Sequence, residues 1–307
     1  MVDQAGRTVV VTGANGGLGL ATTAVLASRG ARVIMACRDE EKAAAARASL
    51  PADARGRTEV RPLDLADLDA VREFVDDVDE PVDVLVNNAG LMNIPHARTA
   101  QGHEMQFGVN VLAHHALLRG LAPRLTDRVV WLGSLAHLAG RVEPDDLSME
   151  LRGYRPLAAY AHSKLACIML AYEWQRRFDR EGSGLRSVAA HPGYAATELI
   201  RQSGRSGADR FFALGNAIPG AGQSARMGAL PSLYAATVPD LPGGSFIGPD
   251  RLGGLRGHPA PTPAARRSRD REIGAALWDR CSEMAEYRHP PSRQSRPEAE
   301  SPSRSRS

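Results

Sequence analysis

Lysine is nearly missing from this sequence. Of the 38 basic residues in a chain of 307, only Lys42 and Lys164 are lysines, and the rest are arginines. A lysine kept in so arginine-biased a chain draws attention to position 164, since the compact ammonium and the planar guanidinium are not interchangeable. Cysteine is scarce as well. Cys37, Cys167 and Cys281 stand apart, with neither disulfide nor metal spacing, which predicts small buried side chains in a reducing compartment. No apolar run approaches the roughly 18 residues that cross a bilayer, and the N-terminus enters a strand without the charged and apolar regions of a signal peptide. These absences predict a cytoplasmic protein without a membrane anchor. Excess charge is absent from the body too. The formal net charge of +3 is matched by residues 288–307, "RHPPSRQSRPEAESPSRSRS", with five Arg and two Glu. A neutral body argues against nucleic acid as a partner of the folded part.

Short, largely β-branched runs recur at intervals that fit intervening helices. Strands are expected at Thr8–Thr12, Arg32–Cys37, Thr58–Arg61, Val82–Asn87, Arg128–Gly133 and Arg186–Ala190, and helices at Leu18–Ser28, Glu40–Ala48 and Leu68–Val75. This alternation predicts a single α/β domain over 1–287, built as a Rossmann-type doubly wound parallel sheet. Residues 200–270 are rich in Gly, Pro and Arg, with a helix expected at Gln223–Ala236. They read either as loops closing the sheet edge or as a substrate loop or lid over a site. A last helix is expected at Glu272–Glu286, and the Arg/Ser/Pro composition of 288–307 predicts a disordered tail.

"VVVTGANGGLGLATTAVL" places Gly13, Gly17 and Gly19, with Asn15 and Leu18 between them, directly after the first strand and at the start of a helix. Close backbone approach, exposed N–H groups and the positive end of the helix dipole make a seat for a pyrophosphate. The second strand ends in Arg38 and then Asp39. An acidic residue there suits the ribose hydroxyls of NAD(H), whereas an arginine suits the 2′-phosphate of NADP(H). Arg38 comes first, so NADP(H) is favoured over NAD(H), with Asp39 acting as a helix cap as the alternative.

"AAYAHSKLA" puts Tyr160 and Lys164 one helical turn apart on one face. A free phenol titrates near pH 10, too high for ready proton exchange, and a neighbouring cation favours the phenolate. Ser134 ends the strand "RVVWLGS", on the side where open parallel sheets bind ligands, and its hydroxyl can polarise a carbonyl oxygen. Of the histidines, His114 and His115 are expected as a pair on a helix surface. No ligand spacing for a metal is found among them.

"TGANGGLG", "LDLADL", "NNAG", "YAHSK" and "HPG", in this order over residues 6–240, resemble the short-chain dehydrogenase/reductase family. The flanking words "ACRDEEKA" and "HPGYAAT" are most similar to its branch of retinol dehydrogenases and NADP-dependent carbonyl reductases. The resemblance implies that Asp64 and Leu65 lie beside an adenine, that Asn87 lines the adenosine ribose and that Ala89 of the same motif also contacts the cofactor. It implies that Thr197 holds a nicotinamide carboxamide near Pro192 and Gly193. Asn110 matches the family's fourth catalytic position, joined through water to the lysine. Gly133 stands where the branch often has a serine, and "RVEPDDLSMELRGYRP" is a surface insertion shaping the pocket. Hydride transfer between NADP(H) and a small carbonyl or alcohol, apolar in character, is the expected reaction. Tyr160 would be the proton donor or acceptor. A cofactor-binding module that senses redox state is the competing reading, and a homodimer stays open.

Overall fold

The computed structural model describes residues 2–194 and 222–286. Thr197, residues 200–221 of the expected loop or lid, and the tail 288–307 lie outside them. The strands are β1 (Thr8–Thr12), β2 (Arg32–Cys37), β3 (Thr58–Pro62), β4 (Val82–Asn87), β5 (Leu125–Leu132), β6 (Arg186–Ala190), β7 (Phe246–Arg251) and β8 (Arg256–Pro261). Helices α1 (Gly17–Ser28), α2 (Glu40–Ala48), α3 (Leu68–Asp77), α4 (Ala113–Leu121), α5 (Pro156–Glu181), α6 (Ala225–Thr237) and α7 (Arg271–Glu286) connect or flank them. Local chemistry sets several of these limits. Asp39 caps α2 by accepting from the Lys42 amide, Asp67 caps α3, and Ser224 caps α6. Pro156 opens α5, and Gly182, left-handed at φ 63°, closes it.

The strands form one eight-stranded sheet in the order β3-β2-β1-β4-β5-β6-β7-β8, parallel from β3 to β7 and antiparallel only at β8. Because alternate side chains of a strand point to opposite faces, Val9 and Val11 join Leu26, Ala27, Ala229 and Leu233 beneath α1 and α6. Val10, Leu85, Val129 and Trp131 pack on the other face with residues of α3, α4, α5 and α7. With both faces covered, the middle of the inner strands is apolar on both sides, so that Val9–Val11, Val84–Val86 and Val129–Trp131 are continuous apolar runs rather than alternating ones. All three cysteines are buried.

Two strands depart from expectation. "FIGPDR" and "RGHPAP" read as loops on their Pro and Gly content, yet they form β7 and β8. The physical reason is position. β7 meets β6 over only Ala189–Phe246 and Ala190–Ile247, and β8 is the outer edge, where a missing N–H leaves no ladder unsatisfied. The insertion is also more than a surface loop. It buries Val142, Leu147 and Met149, and Glu150 pairs with Arg98. Its Tyr154 hydroxyl donates to the Ile94 carbonyl and accepts from Gln106 Nε2.

Candidate active site

The strand order reverses between β1 and β4, and that switch point is where open α/β sheets bind ligands. The loop after β1 is shaped for a close approach. Gly13 adopts φ +64°, and a Cβ on Gly19 would fall 2.2 Å from the Gly13 carbonyl oxygen and 2.6 Å from Asn88 Nδ2. The N-cap of α1 is Gly16, which offers no side-chain cap, and its first turn holds no acidic residue. Its opening N–H groups are therefore free of side-chain competitors for an anion. Beside it, at the end of β4, Asn87 is 2% exposed, yet neither atom of its amide has a partner among the described residues. A buried amide without a partner costs free energy unless something else satisfies it. Glycine cradle, uncapped helix and orphaned amide together fit a dinucleotide.

The other residues expected beside a cofactor take up distinct places. Arg38 is exposed after β2. Asp39 is committed to capping, with its carboxylate on the Lys42 amide and ammonium, both at 3.0 Å. Asp64 is half-buried and accepts from the Ala66 amide, and Leu65 is buried. Asn88 is structural, donating from Nδ2 to the Thr12 carbonyl at 2.8 Å, while the Ala89 amide donates to the Thr12 hydroxyl. Gly193 has φ +66°, and a Cβ there would meet the Leu255 carbonyl oxygen at 2.4 Å. Gln223 pins the neighbouring Pro192 carbonyl at 2.6 Å.

Tyr160 and Lys164 project from α5 toward the same switch point, with the ammonium 5.8 Å from the phenol ring centroid. Lys164, 3% exposed, donates one N–H to the Leu132 carbonyl at the end of β5 (2.8 Å). Asn110 sits in a π-helical turn, Gly108–Leu112, which leads into α4. Such bulges re-aim helix residues and are frequent at functional sites. Its Oδ1 accepts from the Leu91 amide at 2.7 Å, and its Nδ2 donates to the Leu91 carbonyl and to Ser163 Oγ. A Cβ built on Gly90 would lie 3.1 Å from Asn110 Oδ1 and 3.5 Å from Lys164 Nζ, so both side chains line this glycine of the "NNAG" turn. Ser134 is half-buried. Its Oγ accepts from the Ala136 amide, which leaves the hydroxyl proton to donate elsewhere. At Gly133 a Cβ would approach Ile168 Cγ1 to 3.2 Å, so a serine there would have to displace Ile168 slightly.

The histidine pair is not on a surface. His114 and His115 are 1% and 0% exposed. The pair occupies the inner face of α4, which is covered by α5, α7 and the sheet, because burying the helix's apolar stripe draws both rings inward. Burial lowers their imidazoles to about 4 and about 3, so both are neutral near pH 7. His137 also escaped the sequence reading. Its Nδ1 donates to the Ser134 carbonyl at 2.6 Å, and its Nε2 accepts from the Ala265 amide at 3.1 Å, which anchors the turn bearing Ser134 to the C-terminal segment. His191 Nδ1 accepts from the Gly193 amide, and its ring packs 5.1 Å from that of Phe246. Among the described residues, no group of three or more His, Cys, Asp or Glu could hold a metal ion.

Comparison with known proteins agrees with this geometry. Residues 7–145 match the model of the short chain dehydrogenase family. The chain is 41% identical to retinol dehydrogenase 13 of Homo sapiens over 286 residues, covering 89% of this chain and 82% of that relative. It is 38% identical to polyprenol dehydrogenase of Mus musculus over 291 residues, covering 90% and 82%. A crystal structure of an uncharacterized protein from Mycobacterium Paratuberculosis superposes with a TM-score of 0.80 at 44% identity, covering 94% of this chain and 97% of that one. A short chain dehydrogenase from Burkholderia cenocepacia in complex with NADP superposes at 0.62 with 26% identity, covering 79% and 96%.

Proposed function

Starting from the fact that the chain belongs to the short-chain dehydrogenase/reductase family, in its retinol dehydrogenase-like part, we propose that it interconverts an apolar aldehyde or ketone and the corresponding alcohol with NADP(H). It is an oxidoreductase of alcohol and carbonyl groups, and a nicotinamide cofactor serves the family. When bound, that cofactor supplies or accepts the hydride. The residues of the chain bind, orient and move the proton. Tyr160 gives its hydroxyl proton to the substrate oxygen in reduction and takes it back in oxidation, while Ser134 donates a hydrogen bond to the same oxygen. Lys164 has N–H groups beyond the one on Leu132 for ribose hydroxyls, and Asn110 holds the water that returns the proton. Arg38 meets the 2′-phosphate, because Asp39, already committed as a cap, is poorly placed to claim ribose hydroxyls.

The observation that carries this reading is the meeting of Asn110 and Lys164 against Gly90, with Tyr160 beside the ammonium, next to the orphaned amide of Asn87. Binding alone would not need a phenol and ammonium pair at that spot. The apolar class of substrate is supported by the retinol and polyprenol dehydrogenases among its relatives. The test is a panel of aldehydes, ketones and sterols assayed by NADPH absorbance at 340 nm, with NADH in parallel. Turnover of apolar carbonyls with a preference for NADPH is expected. Tight NADPH binding without turnover of any member would favour the redox-sensing module instead.

A further inference from the structure

We propose that His114 is a positioning residue that ties the cofactor-side turn of residues 88–91 to Asn110 through a one-directional hydrogen-bond relay. The inference rests on the reading of this site as a dinucleotide-dependent reductase. His114 lies in α4, one turn after Asn110. Its Nδ1 is 3.1 Å from the Asn110 carbonyl oxygen and its Nε2 is 2.9 Å from Thr12 Oγ1. A carbonyl oxygen can only accept, so Nδ1 carries the proton. In a neutral ring Nε2 is then the bare nitrogen, and the Thr12 hydroxyl donates to it at 2.9 Å rather than to the Val86 carbonyl, which lies farther off at 3.4 Å. That hydroxyl in turn accepts from the Asn88 and Ala89 amides, each at 2.9 Å.

The relay closes on itself. From Asn88 and Ala89 it passes to the Thr12 hydroxyl, from there to His114, and from His114 to the Asn110 backbone. The Asn110 side chain then returns to the same turn, accepting from the Leu91 amide at 2.7 Å and donating to the Leu91 carbonyl at 3.0 Å. The π-helical turn supplies the bend that brings the Asn110 carbonyl to side-chain donors, for Cys167 Sγ also donates to it at 3.2 Å. A shift of the 88–91 turn against Asn110 stretches at least one of these buried hydrogen bonds, so the two are held in one arrangement. The position of the cofactor seat and the position of the proton-return residue are thereby set together.

Two substitutions divide the ring. In His114→Asn the amide nitrogen takes the place of Nδ1 and keeps the bond to Asn110, but the reach to Thr12 is lost. In His114→Gln the terminal oxygen takes the place of Nε2 and keeps Thr12, but Asn110 is released. With NADPH titrated by fluorescence and an aldehyde that the wild type reduces, His114→Asn should raise the NADPH Kd about tenfold and lower kcat less. His114→Gln should lower kcat about tenfold and raise the Kd less, a tenfold change corresponding to about 1.4 kcal/mol, within the cost of leaving one buried polar group unpaired. Nitrogen-15 NMR of the wild-type imidazoles, assigned by the signal missing in His114→Asn, should show His114 protonated at Nδ1. Equal changes in both constants for the two variants, a change in thermal midpoint alone, or an Nε2-protonated ring would each overturn the proposal. If the wild type reduces no aldehyde, the enzymatic reading falls, while the Kd comparison and the tautomer still decide the role of His114.

Discussion

A tyrosine can act as an acid only if its proton leaves readily and is replaced. In the proposed reaction the ammonium of Lys164 beside the Tyr160 ring and the hydrogen-bonded Asn110 would supply the means, and removing the hydroxyl would remove the step itself. Tyr160→Phe should therefore lower turnover at least about a hundredfold while NADPH binding, measured by fluorescence, stays close to wild type. Turnover within a few-fold of wild type would remove Tyr160 from the chemistry. At the other end of the cofactor seat, Arg38→Ala should weaken NADPH by about 1.5–3 kcal/mol, the worth of a charged hydrogen bond, with little effect on NADH. Equal losses for the two cofactors would show that Arg38 does not read the phosphate. The features behind both predictions were legible in the sequence because they are local: a phenol and a lysine one turn apart on α5, and an arginine at the end of β2. His114 and His137 were not. Their roles depend on Thr12 and Ala265, which are distant in the chain, although the four-residue step from Asn110 to His114 was a clue in plain view.

The turn from β1 into α1 works because two backbones touch. Gly19→Ala would drive a methyl group to 2.2 Å from the Gly13 carbonyl oxygen, a contact that only a shift of backbone can relieve. The expected result is a NADPH Kd raised about tenfold or more together with a lower thermal midpoint by circular dichroism, a change near 1.4 kcal/mol or greater in binding. Unchanged cofactor affinity would mean that the loop is not the pyrophosphate seat. Elements with a strong period or a capping residue were readable to within a residue or so, as α2 with Asp39 and β1 with its valines illustrate. β7 and β8 were not. Proline and glycine argue against a strand in general, and only a place at the sheet's edge lifts that objection.

Over the whole molecule, buried histidines set a pH dependence. Burial lowers His114 and His191 to about 4 and His115 to about 3, and it lowers His137 and His162 as well. In the unfolded chain such groups titrate near 6.5. Between these values the unfolded state binds more protons, so stability is full above about pH 6.5 and is lost as the pH falls toward 4. Glu104 acts in the opposite direction, since burial raises its carboxyl, but it is one group against five. The thermal midpoint by calorimetry should therefore fall by several degrees between pH 7 and pH 5. A flat midpoint over that interval would mean that these rings are hydrated in solution. No helix of the described residues is long and apolar enough to cross a membrane.

The order of motifs along the chain identified the family and the parallel sheet, because the glycine turn, the apolar strand runs and the Tyr-x-x-x-Lys spacing are each written in contiguous residues. Composition could not determine where the polar side chains of α4 would face. Burial of an apolar stripe is a property of the packed layers, and it turned an expected surface pair into two buried, neutral imidazoles. The tertiary structure alone decided that the Thr12 hydroxyl meets His114, since a hydrogen bond across about a hundred residues of chain exists only when the sheet has brought β1, β4 and α4 together.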